Sequence, residues 1–136
     1  MSGFLLDTNI VSELRKPKPY AAMWNWFNKL PPDRMFLSAV TLAELQKGVE
    51  ITRRQDATKA IEIEDWIDRI EASYSVLAMD GPCFRDYARL MQGVSNTLSE
   101  DAMIAATARV HGLTVATRNE RDFANLSVAV LNPFKN

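Results

Sequence analysis

Short continuous apolar runs alternate with longer segments whose apolar residues recur at helical spacing, and the two periods divide the chain into strands and helices. The run "GFLL" at residues 3–6 reads as a short buried strand. A helix is predicted from about Thr8 and ends at the Pro17 and Pro19 pair, because proline has no amide hydrogen to continue it. In "AAMWNWFNKL", Met23, Phe27 and Leu30 lie at helical spacing, and "PPD" breaks that helix before a second apolar strand near "MFLSAV". Another helix is predicted from Thr41. Between Arg54 and Tyr74, Ile61, Ile63, Trp66, Ile67 and Ile70 form a broad helical stripe, and "SVLAM" follows as a third strand ending at Asp80. Helical patterns cover residues 82–93 and 99–112, and the strands "LTVAT" and "VAVL" close the chain. This alternation predicts an α/β sandwich with a mainly parallel sheet, in which ligands bind beyond the carboxyl ends of the strands.

That rim gives meaning to acids placed just after strands. Asp7 directly follows the first strand, although Asp7, Thr8 or Asn9 could equally cap the first helix. Glu44 closes "TLAE", which fits a capping box starting at Thr41, yet it repeats the same order of apolar strand, polar turn and acid in the first turn of a helix. Asp101 shares a helical face with Ile104, Ala105 and Ala108, so a carboxylate heads a buried stripe where an unpaired charge is expensive. Thr97 with Glu100, or Ser99 alone, could cap that helix, which leaves Asp101 free for chemistry. Beyond "LTVAT", the segment "TRNERDF" brings Thr117, Asn119 and Asp122 to a strand end, with Glu120 read as a solvated charge.

Composition narrows the chemistry these acids can serve. The 136 residues, 47% hydrophobic and 24% charged, suit one globular domain over 1–136, and a net charge of −1 excludes a general positive field for a polyanion. A single cysteine, Cys83, excludes an internal disulfide and reads as a small buried hydrophobe. With no signal-like N-terminus and no apolar run of membrane length ("FLSAVTLAEL" carries Glu44), the expected location is the cytoplasm, away from membranes. The only histidine, His111, stands before Gly112 at a predicted helix end, which disfavours metal-free acid–base catalysis by a His pair.

Clustered carboxylates repel one another unless a divalent cation neutralises them, and hard oxygen donors favour Mg²⁺, with Mn²⁺ as a substitute. Asp7 and Asp101 are the expected direct ligands, Asp122 binds directly or through water, and Glu44 orients or deprotonates the attacking water. Lys47, Arg53, Arg54, Arg85, Arg89 and Arg118 are candidate contacts for substrate phosphates, since neutralising phosphate needs only a few basic groups beside the acids. Trp24, Trp26, Phe27 and Trp66 read as core or interface, with a partner groove lined by Tyr20, Trp24 and Trp26 as the alternative. A haloacid-dehalogenase-type phosphatase fits poorly, because Asn9 stands where a second Asp is needed.

The segments "LLDTNIVSEL", "LSAVTLAELQKGVE", "DAMIAATARVHGLTVATRNERDF" and "VLNPF" together resemble the PIN-domain ribonucleases, particularly VapC-type toxins of toxin–antitoxin pairs and their FitB-like relatives. The resemblance runs over essentially the whole chain. It implies a three-layer α/β/α fold, an acidic site at Asp7, Glu44, Asp101 and Asp122, and supporting partners Thr8, Asn9, Thr117 and Asn119. It also implies a metal-dependent endoribonuclease, a homodimer or higher toxin–antitoxin assembly, and a small antitoxin that inserts a segment near the active site. In the alternative, the toxin–antitoxin complex acts chiefly by binding DNA through the partner, with the nuclease secondary. One departure is "SNTLSE" before Asp101, where many relatives carry a proline-containing approach.

Overall fold

The computed structural model describes residues 3–135. Strands β1 (Phe4–Leu6), β2 (Met35–Ser38), β3 (Ser75–Leu77), β4 (Thr114–Ala116) and β5 (Val130–Leu131) form a parallel sheet in the order β3-β2-β1-β4-β5. Leu5, at the centre of β1, pairs with Phe36 on one side and Val115 on the other. The flanking helices are α1 (Thr8–Leu14), α2 (Ala21–Lys29), α3 (Ala39–Arg53), α4 (Ala57–Ser73), α5 (Gly81–Leu90), α6 (Ser99–His111) and α7 (Glu120–Phe123).

Successive strand residues face opposite ways, and this splits the core into two layers. Leu5 and Val115 pack with Ile104, Ala105 and Phe123 on one face, whereas Leu6 and Ala116 pack with Ile10, Val11 and Met23 on the other. The result is a three-layer α/β/α fold whose central strand is buried on both faces. On α6, Ala102, Ala105, Ala106 and Ala108 are all fully buried, and these small side chains let its axis approach the sheet. Gly112 ends α6 in the left-handed conformation, φ 67°, that a helix-terminating glycine adopts cheaply.

Several local expectations change. Helix α3 starts at Ala39, because Ser38 at the end of β2 caps it by accepting the Val40 N–H at 3.1 Å. The Thr41–Glu44 capping box therefore does not form, and Glu44 belongs to the second turn. Neither Thr97 nor Ser99 caps α6: the preceding 3-10 turn at Asn96–Leu98 carries Leu98 into the cap position, and the Ser99 hydroxyl pairs with the Tyr87 hydroxyl at 2.8 Å. Strand β3 stops at Leu77, and Asp80 instead caps α5 by accepting the Cys83 N–H at 3.2 Å. Ile61 is 53% exposed, so the α4 stripe is narrower than predicted and centres on Ile67.

Candidate active site

The site is assembled where β1, β2 and β4 end in their parallel order, which puts Asp7, Ser38 and Thr117 on one rim. Asp7 is 4% exposed, and both of its carboxylate oxygens accept hydrogen bonds. Oδ1 accepts the Thr8 N–H at 2.8 Å, while Oδ2 accepts the Thr117 hydroxyl at 2.7 Å and the Asn9 amide at 3.2 Å. Asp7 thus caps α1, as the capping reading predicts, while sitting on the rim. Asn9 extends the network by accepting the Arg118 N–H at 3.1 Å, and Thr117 does so by accepting the Asn119 N–H at 2.9 Å. Burial pushes the Asp7 carboxyl up, the bonds from Thr117, Thr8 and Asn9 oppose that rise, and the Asp122 charge adds to it.

Glu44 reaches the same rim from α3, where its Oε1 accepts the Thr8 hydroxyl at 2.6 Å. Its carboxyl is raised by burial and by Glu100 and Asp7, against the Thr8 bond and the Lys47 charge. Asp101 differs from both. It is half-buried in the first turn of α6, and its carboxylate makes no hydrogen bond or ion pair with another described residue. Its carboxyl is raised to about 7, first by burial and then by the charges of Asp7, Asp122, Glu44 and Glu100. Asp122 approaches from α7, its own N–H bound to the Asn119 carbonyl at 3.2 Å. The topology therefore brings the four predicted acids within electrostatic reach of one another, together with Thr8, Asn9, Thr117 and Asn119.

Glu100 is a fifth acid that sequence reasoning passed over as a capping partner, and its tandem placement with Asp101 was the available signal. Glu120 is not merely solvated: it binds Lys135 at 2.6 Å and Asn132 at 3.0 Å. Among the described residues, no three Asp, Glu, His or Cys side chains converge tightly enough to grip an ion as they stand. The donor set itself is all oxygen, which is the chemistry that suits a hard cation. Cys83 is buried in α5 and His111 lies at the far end of α6 from Asp101.

The predicted basic contacts separate. Lys47 acts on the Glu44 charge. Arg53 is engaged elsewhere, joined to Glu50 at 3.1 Å and Glu64 at 2.9 Å as a staple between α3 and α4, and Arg54 is the exposed C-cap of α3. Arg85 and Arg89 line a shallow pocket of about 410 Å³ that includes none of the four acids, and Arg89 is 3.7 Å from Asp86. Arg118 shares an open pocket of about 480 Å³ with Asn119, Asp122 and Arg121, a cation the sequence reasoning did not select. Trp26 and Trp66 are half-buried and Phe27 packs on the α2 face of the core, whereas Tyr20 and Trp24 stay 55% and 41% exposed. No helix among the described residues is long and apolar enough to cross a membrane.

Residues 4–129 match the family described as PIN domain. The chain belongs to the PIN domain family. Within it, Toxin FitB of Neisseria gonorrhoeae (strain ATCC 700825 / FA 1090) is 34% identical over 96% of this chain and 97% of its own length. VapC ribonuclease Y4jK of Sinorhizobium fredii (strain NBRC 101917 / NGR234) is 33% identical over 96% of this chain and 97% of its length. A solved structure of FitAB bound to an IR36 DNA fragment superposes with a TM-score of 0.80 at 32% identity, covering 98% of this chain and 96% of the matched one. The PIN fold seen here is thus shared with FitB and VapC proteins along almost the whole chain.

Proposed function

We propose that this PIN domain is the toxin of a toxin–antitoxin pair and acts as a divalent-metal-dependent endoribonuclease that hydrolyses RNA phosphodiester bonds. The observation that carries this is Asp101: a half-buried carboxylate without a partner, raised to about 7 by burial and by four other acids. Such a group is costly to the fold and valuable to a cation. The names of the relatives, a VapC ribonuclease and a FitB toxin, support the same activity and role.

Asp7, Asp101 and Asp122 would hold Mg²⁺, or Mn²⁺ in its place. When bound, such an ion supplies charge for the phosphoryl oxygens and acidifies a water. Asp7 offers a carboxylate already oriented by Thr8, Thr117 and Asn9, so little reorganisation accompanies binding. Glu44, fixed by the Thr8 hydroxyl, orients the attacking water and takes its proton. Asn9 and Asn119 tie the loop after β4 to this framework, and Arg118 on that loop meets RNA phosphate.

A small antitoxin would cover the rim, and the groove of about 270 Å³ running from Glu44 past Leu45, Ile63 and Trp66 suits an inserted apolar segment. A homodimer, or a higher toxin–antitoxin assembly, is part of the proposal. The FitAB structure with DNA favours a second role in which the paired complex binds DNA through the antitoxin.

The test is cleavage of RNA by the purified chain. Chelation is expected to abolish it and Mg²⁺ or Mn²⁺ to restore it, with Ca²⁺ a poor substitute because of its looser coordination. Full cleavage in excess chelator overturns the metal requirement. No cleavage with either ion, and no growth arrest on expression without the neighbouring reading frame, overturns the toxin nuclease.

A further inference from the structure

Glu13 is a buried carboxylate on α1 that the proposed chemistry leaves unused. Its side chain is only 6% exposed, yet three donors meet it. The Tyr20 N–H binds Oε2 at 2.9 Å, while Lys16 Nζ at 2.9 Å and Arg118 Nη2 at 3.4 Å share Oε1. The Lys16 bond leads the set that holds this carboxyl below its ordinary range. Two cations on one carboxylate leave the cluster with surplus positive charge.

Arg118 is restrained from several directions. Its backbone N–H donates to Asn9, Nη2 meets Glu13, and the guanidinium carbon lies 4.0 Å from the centre of the Phe134 ring. Phe134 in turn contacts Tyr20 at 5.6 Å between ring centres, so the 15–20 loop and the C-terminal turn both lean on this arginine. Its Nε and Nη1 have no partner among the described residues, and the side chain is 50% exposed beside the pocket that holds Asp122. A planar guanidinium stacked on a ring, with free donors at its edge, matches phosphate geometry, and a nearby ammonium adds a point charge.

We propose that Glu13 is a positioning residue that assembles Lys16 and Arg118 into a seat for an RNA backbone phosphate beside Asp122. The seat rests on the nuclease function proposed above and supplies attraction on a rim where the carboxylates alone repel RNA. Lys16 was not among the basic residues singled out by sequence, because only the shared Glu13 oxygen connects it to Arg118.

The test exploits a conflict of sign. Glu13→Gln keeps shape and an acceptor for Tyr20 while deleting a negative charge, so simple electrostatics predicts tighter RNA binding. Loss of the seat predicts weaker binding. Affinity for a labelled single-stranded RNA oligonucleotide of mixed sequence is measured with Mg²⁺ in an Asp101→Asn background, which prevents cleavage. Glu13→Gln is expected to weaken binding roughly fivefold to tenfold, on the scale of one charge-assisted hydrogen bond. Arg118→Ala and Lys16→Ala alter exposed side chains and keep the test valid if Glu13→Gln folds poorly. Each should weaken binding and reduce the slope of log affinity against log salt by about one. In the Arg118→Ala background, Glu13→Gln should lose most of its effect. In the cleavage-competent chain, KM rises while kcat is retained, whereas a loss of folded protein lowers kcat alone. Unchanged or tighter binding in Glu13→Gln, or in Arg118→Ala, overturns the seat and leaves the nuclease standing. A parent that neither binds nor cleaves RNA removes both.

Discussion

Asp7 and Asp101 share one rim, yet the fold treats them in opposite ways. Asp7 is almost sealed from solvent and accepts bonds from Thr8, Asn9 and Thr117, whereas Asp101 is half-open and has no bonding partner among the described residues. Both carboxyls are raised, but with different compensation: three bonds offset the burial of Asp7, while every other influence on Asp101 is another negative charge. The difference teaches how a site can be both rigid and receptive. One acid fixes the frame, and the other stores the electrostatic strain that a cation relieves.

Replacing the strained member gives the largest expected effect. Asp101→Asn keeps the shape and removes one charge, so cleavage should fall by roughly a thousandfold or more, as expected when the chemistry of the site is removed. Metal-free stability should hold or rise by about 1 kcal/mol. Initial cleavage rates with Mg²⁺ and thermal melts in chelator measure the two halves. An active variant, or one markedly less stable, would erase the contrast between the two acids.

The fixed member is probed through Thr117→Val, which deletes the 2.7 Å bond to Asp7 and leaves its Oδ2 with Asn9 alone. Here stability and activity should fall together, by about 1–2 kcal/mol and roughly tenfold, because a buried acceptor loses its best donor and the carboxylate loses its orientation. Chemical denaturation and cleavage rates check this. Loss of activity without loss of stability would mean that Thr117 serves substrate and not Asp7.

This pairing also explains what the sequence could and could not tell. The rim positions of Asp7, Glu44 and Asp122 were legible because strand–acid order in a parallel sheet fixes where a residue emerges, and that of Asp101 because it heads the buried stripe of α6. Caps were less legible. Ser38 outcompeted Thr41 because it sits directly at the strand end, and the 3-10 turn before α6 displaced the choices offered by Thr97 and Ser99. Those are contests between neighbours that differ by a fraction of a helical turn. Glu13 was hidden for another reason: Lys16 and Tyr20 are close in sequence, but Arg118 comes from a distant loop, and such long-range pairing leaves no local periodicity.

A metal titration sharpens the comparison at smaller scale. Mg²⁺ should raise the melting temperature of the parent more than that of Asp101→Asn, since ligand binding to the native state stabilises it by mass action. Equal shifts in the two proteins would place the ion away from Asp101.

The smallest effect is the pH dependence of metal-free stability, and its sign is specific. Asp101 has its carboxyl raised from 3.8 to about 7, so between those values the folded chain binds a proton that the unfolded chain releases. Stability from this group is therefore lost as pH rises through that window. Glu13, Asp80 and Glu120 are shifted downward and act in the opposite direction, which obscures the trend in the parent alone. Subtracting Asp101→Asn isolates it. The variant's advantage should be near zero at pH 4 and grow to about 1 kcal/mol by pH 8, well below the full shift because Asp101 is half-exposed and screened. Urea unfolding of both proteins in chelator across that range measures the difference. A flat difference would mean that the crowding of acids around Asp101 costs the fold nothing, and one that falls with rising pH would mean that Asp101 has a cationic partner in solution.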